Sequence, residues 1–70
     1  MRRFLVVIEK TKTNYSAYST DLPGCVATGK TAHEVENNMH VAIQMHVDGL
    51  KEDRQSIPRS FSRAKYIAVG

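Results

Sequence analysis

Cys25 is the only cysteine in this chain of 70 residues, and its thiol is the one strong nucleophile available. Nucleophilic work needs a base beside the thiol or a depressed pKa. No orienting pair accompanies Cys25 in the sequence, so a small packed strand residue is expected there. The imidazoles are His33, His40 and His46. On a helix, His33 and His40 stand two turns apart, on the order of 10 Å, too far to share one ion. Glu36 and His40 are one turn apart and could chelate, although a solvated helix flank is the commoner meaning of such a pair. His46 falls within an apolar stripe, where a locally hydrogen-bonded ring is expected. Glu9 and Asp21 sit at strand ends, apart from the other acids, whereas two-metal hydrolysis gathers carboxylates around ions roughly 4 Å apart. No catalytic residue, metal site or cofactor is therefore expected, and the chain is not expected to be an enzyme. Lys51, Arg54, Arg59, Arg63 and Lys65 could touch phosphate, yet only Phe61 is interleaved with them and they form no RNA or DNA motif.

The elements that position these residues follow from hydrophobic periodicity. Arg3 to Glu9, with its unbroken Phe4-Leu5-Val6-Val7-Ile8, reads as a central strand. Lys10 to Asn14 is a polar turn. Tyr15 to Thr20 reads as a second strand, antiparallel to the first. Asp21-Leu22-Pro23-Gly24 is a turn in which Pro23 presets φ and Gly24 supplies the positive φ of a type II geometry. Cys25 to Gly29 makes a third strand. Thr31 with Glu34 has capping-box spacing. The helix that follows carries Ala32, Val35, Met39, Ala42, Ile43, His46 and Leu50 on one stripe. Gly49 suits the position just past the helix end. Lys51 to Arg63 reads as a surface loop, and Tyr66 to Val69 as a short last strand beside the first. The expected class is α+β with the order β-β-β-α-β, one helix packed on a four-stranded mixed sheet, in a single domain over residues 1–70.

Composition narrows the function. The formal charge is +3 and the pI about 9.3, mildly basic, which permits contact with RNA or an acidic partner without requiring either. No stretch approaches the roughly 20 apolar residues of a membrane helix. Met1-Arg2-Arg3 begins like a signal peptide, but Glu9 and Lys10 end the apolar run too early. A lone cysteine fits a reducing cytoplasm. With neither disulfide nor zinc to staple so small a core, a homodimer or higher homo-oligomer is expected. Two surfaces suggest themselves for contact with a partner or a second copy. One is the third strand, with Val26 and Thr28. The other is the outer helix face, where Val41 and Met45 stand one turn apart.

Several segments together resemble the HicB-like antitoxin family. They are Phe4-Leu5-Val6-Val7-Ile8-Glu9-Lys10, then Tyr15-Ser16-Ala17-Tyr18, then Asp21-Leu22-Pro23-Gly24-Cys25, then the Gly29-Lys30-Thr31 helix entry. The Ala42-Ile43 pair and the Gly49-Leu50 end strengthen the likeness. The resemblance implies a partial ribonuclease H-like fold, with Tyr15 and Asp21 to Cys25 as fold-motif residues. It further implies binding and neutralisation of HicA, a small messenger-RNA-cleaving toxin that resembles a double-stranded RNA-binding domain. Family members are typically not nucleases. Many carry a C-terminal helix-turn-helix or ribbon-helix-helix module. This chain ends at Gly70, so direct DNA binding is not expected of it. Lys12-Thr13-Asn14 also replaces the usual Asp-Gly of the first turn. Beside the antitoxin reading stand a nucleic-acid-binding or regulatory module using the basic 51–65 loop and, last, a hydrolase retaining ribonuclease H chemistry.

Overall fold

The computed structural model describes residues 2–70; Met1, which opens the signal-like Met1-Arg2-Arg3, lies outside the described residues. Three strands and a helix follow in the order β1 (Val6–Lys10), β2 (Tyr15–Ser19), β3 (Val26–Gly29) and α1 (Ala32–Glu52). The strands form an antiparallel meander in which β2 is central. Its register sets Val7 opposite Tyr18 and Ile8 opposite Ala17; on the other side Ala17 meets Ala27 and Tyr18 meets Val26. The first strand begins later than its apolar run suggests because the Leu5 amide donates to Asp21 Oδ2 at 2.9 Å instead of entering a ladder.

Each turn is closed by local hydrogen bonds. Thr11 Oγ1 accepts from the amides of Thr13 and Asn14 and donates to Asn14, so a threonine-centred turn does the work of the missing Asp-Gly. In the second turn the Cys25 amide donates to the Leu22 carbonyl at 3.1 Å, and Gly24 sits at φ 79°. That is the type II geometry expected from Pro23-Gly24.

One face of the sheet is covered by α1. Alternation along the strands sends Ala17, Ala27 and Val6 to that face, where Ala17, Leu22, Cys25, Val35 and Met39 form the buried cluster. Burial of side chains such as Leu22 and Met39 contributes about 2 kcal/mol each. The helix starts as its sequence demands. Thr31 Oγ1 accepts from the Glu34 amide at 3.0 Å. Glu34 reaches back one residue further than in a standard capping box, to the Lys30 amide at 3.1 Å. Close approach is possible there because Gly29 has no side chain: a Cβ at this position would lie 2.6 Å from the Val35 nitrogen.

Three expectations are corrected. The sheet has three strands and not four, and it is antiparallel and not mixed. Tyr66 to Val69 carries no strand, and Tyr66, Ile67 and Val69 are at least four-fifths exposed. The returning chain is half-buried at Ile57 and Pro58 and bonds to Asp21 through Ser60, Phe61 and Ser62, and residues 63–70 beyond them are exposed. The helix also continues past Gly49 to Glu52. It ends where the Gln55 amide bonds to the Leu50 carbonyl and the Arg54 amide to the Lys51 carbonyl, with Arg54 at φ 56°. This is a Schellman closure with arginine in the left-handed position. Finally, Val47 is buried while His46 is half-buried and Ala32 exposed. The helix turns its later half toward β1, so the inward stripe runs through buried Val35, Met39 and Val47 with half-buried Ile43 between the last two.

Candidate functional site

Asp21 accepts four hydrogen bonds, all from residues distant in sequence. Its Oδ2 accepts from the Leu5 amide at 2.9 Å and the Ser60 hydroxyl at 2.6 Å. Its Oδ1 accepts from the amides of Phe61 and Ser62, both at 3.2 Å. The Ser60 hydroxyl, then the Leu5 amide, outweigh the cost of burial and hold its pKa at about 2, below the usual 3.8. Four donors on one carboxylate satisfy its lone pairs and fix its charge. The arrangement has the character of a structural knot. It ties the approach to β1, the β2–β3 turn and the C-terminal segment together, and every oxygen is engaged with the chain itself. Ser60 to Ser62 lie some 40 residues away in sequence, and nothing local in either segment announces the pairing.

Cys25 is buried, and burial pushes its thiol pKa up, against the direction that nucleophilic thiols require. It packs in the core cluster with Leu22 and Met39. Among the described residues no group of three or more His, Cys, Asp or Glu side chains is placed to hold a metal ion. Tyr15 and Leu22 also belong to the packing, so the Asp-Leu-Pro-Gly-Cys motif acts on the fold.

The residues expected to meet a partner fall on two separate surfaces. Val26 and Thr28 lie on the sheet face opposite the helix. There Val7, Tyr18 and Val26 form one cross-strand row spanning all three strands, with Tyr18 39% and Val26 65% exposed. Glu9, Ser16 and Thr28 form the next row, giving an apolar centre with a polar border. Sequence reading singled out Val26 but missed Val7 and Tyr18. The signal was present in the alternation, since Tyr18 and Val7 point away from Ala17 and Val6. Val41 and Met45 lie on the outer face of α1, 59% and 70% exposed.

The basic residues Lys51, Arg54, Arg59, Arg63 and Lys65 are exposed and do not converge as a group. Arg59 instead meets Arg2 and Arg3 around a cleft of about 360 Å³. A larger apolar groove lies between β1 and the later half of α1. It measures about 690 Å³ and is lined by Phe4, Val6, Ile8, Met39, Ile43 and Val47 among others. Among the described residues no helix is long and apolar enough to cross a membrane.

A three-stranded antiparallel meander with one face covered by a single helix and the other open defines a small α+β domain. The family model for the HicB-like antitoxin of bacterial toxin-antitoxin systems matches residues 4–69, and the chain belongs to that family. An uncharacterized 14.9 kDa protein of Haemophilus phage HP1 is 36% identical over 62 residues, covering 89% of this chain and 47% of the phage protein. A UPF0150 protein of Thermoplasma acidophilum is 34% identical, covering 81% of this chain and 84% of its own length. A UPF0150 protein of Helicobacter pylori is 38% identical over 67% of this chain and 65% of that protein. The chain thus spans about half the length of the phage relative and two thirds of the Helicobacter one. No solved structure matches.

Proposed function

We propose that this chain is a cytoplasmic antitoxin domain, a single unit over residues 1–70, that neutralises a HicA-type messenger-RNA-cleaving toxin by protein contact and has no catalysis of its own. Membership of the antitoxin family supports a toxin partner in general. The observation that carries the site is the uncovered sheet face, where the Val7–Tyr18–Val26 row offers an aromatic anchor between two aliphatic neighbours. Interfaces of this kind concentrate their binding energy in a central aromatic residue bordered by polar groups. Inhibition by coverage needs such a surface and no reactive group. The β-β-β-α order also supports a partial ribonuclease H-like fold, since it is the order in which β-β-β-α-β begins.

Co-purification with a tagged HicA-type toxin tests the reading. Tyr18→Glu with Val26→Glu, which leaves the covered face untouched, is expected to weaken capture at least about tenfold, equivalent to about 1.4 kcal/mol. Undiminished capture by that variant would remove the sheet face from the account, and no capture by the wild type would remove the toxin.

A second reading rests on the cleft in which Arg2, Arg3 and Arg59 meet. Three arginines lining one opening suit phosphate, and RNA contact there would weaken with salt. Titration of single-stranded RNA at rising salt reads it: each phosphate neutralised contributes about 0.7 to the log–log slope, and Arg59→Ala is expected to remove about one such increment.

A further inference from the structure

Strand β1 is an edge of the sheet, bordered by β2 on one side only. An unpaired edge presents a row of backbone donors and acceptors that another extended segment can complete. The opposite edge is partly closed: α1 packs chiefly along β3, and Asn38 Nδ2 donates to the Thr28 carbonyl at 2.8 Å. At β1, by contrast, the helix stands off and leaves the groove of Phe4, Val6, Ile8, Met39, Ile43 and Val47 open beside the edge.

The same chain carries a segment suited to that edge. Tyr66-Ile67-Ala68-Val69 is rich in strand-forming residues, holds no charge, and lies almost wholly exposed, with Tyr66 at 101% and Val69 at 90%. The segment projects from the body. A compact chain of this length has a radius of gyration of about 11 Å, whereas this one reaches 13.6 Å and is 47 Å long. The anchorage of Ser60 to Ser62 on Asp21, which also holds the Leu5 amide, fixes where the segment leaves, beside the start of β1. The eight residues from Arg63 to Gly70 extend up to about 26 Å from that point at roughly 3.3 Å per residue.

We propose that Tyr66–Val69 of one copy pairs with the free edge of β1 in a second copy, reciprocally, so that two chains close as a strand-exchanged dimer. Two-fold closure uses the same edge and the same segment on both partners. Strand alternation places one of the pairs Tyr66/Ala68 and Ile67/Val69 over the apolar groove and the other on the open sheet face. In either register the groove receives apolar side chains. The occupant is a second copy because the complementary segment is present on the chain itself and lies exposed and unpaired, leaving the β1 edge of its own copy free.

Sedimentation equilibrium at micromolar concentration tests this without any toxin, and so independently of the proposed function. The wild type is expected at twice the monomer mass of 7.9 kDa. Ile67→Pro with Val69→Pro removes ladder donors and is expected to halve the mass, with an unchanged far-ultraviolet circular dichroism spectrum apart from the exchanged strand. Val41→Lys with Met45→Lys, on the outer helix face, is expected to stay dimeric. A monomeric wild type, which includes the case of the segment folding onto its own β1, would overturn the proposal. So would a dimer that survives the double proline, or one that dissociates on the helix-face change.

Discussion

Four donors from two segments, Leu5 and Ser60 to Ser62, converge on Asp21, so one carboxylate joins three parts of the chain. The bonded carboxylate is ionised down to about pH 2, whereas the unfolded chain protonates it near 3.8. Its folded pKa is depressed, so its contribution to stability is complete above about pH 4 and is lost as the pH falls toward 2. Thermal melts between pH 2 and 6 are expected to show this acid loss in the wild type and a smaller one in Asp21→Asn, whose melting temperature is already lower at neutral pH. An unchanged melting temperature and acid profile in that variant would show that the knot contributes nothing. Gly29 is the second residue on which the fold depends. An added Cβ would meet the Val35 nitrogen at 2.6 Å and its Cα at 2.9 Å, both backbone atoms that cannot rotate aside. Gly29→Ala is expected to cost about 2 kcal/mol or more, read from urea midpoints. The turn role of Asp21-Leu22-Pro23-Gly24-Cys25 was legible in sequence because its geometry is local. The partners of Asp21 were not, because they arrive from the far end of the chain.

At the scale of elements, α1 was readable from its cap and its apolar spacing, and its end was not. Gly49 has the residue type usual at a helix terminus, but nothing forces a glycine within a helix to end it. The chain continues one more turn and closes on Arg54 instead. A non-glycine residue in the left-handed region costs roughly 1 kcal/mol, so Arg54→Gly is expected to raise the melting temperature by a few degrees. A drop would show that the arginine side chain makes a compensating contact. The buried stripe makes a sharper statement. Met39 is 1% exposed, and a carboxylate there costs several kcal/mol, close to the whole stability of a small domain. Met39→Asp is expected to abolish cooperative unfolding in circular dichroism melts, and Asn37→Asp to leave the melt within about 0.5 kcal/mol of wild type. The last strand was misread for a physical reason. Tyr66 to Val69 has the composition of a strand, but composition does not specify the edge on which a strand pairs.

The whole molecule presents two unlike faces. Beneath α1 lies the core. On the other side the Val7–Tyr18–Val26 row faces outward, and an apolar row of that kind is stabilised when a partner covers it. The central claim is that the covering partner is a HicA-type toxin and that coverage alone silences it. The direct measurement is messenger-RNA cleavage by such a toxin, titrated with this protein and, in parallel, with Tyr18→Glu/Val26→Glu shown to be folded by circular dichroism. The account predicts that cleavage stops near equimolar wild-type protein and persists at the same concentration of the variant. Cleavage that continues under excess wild type, or that the variant suppresses equally well, would contradict it.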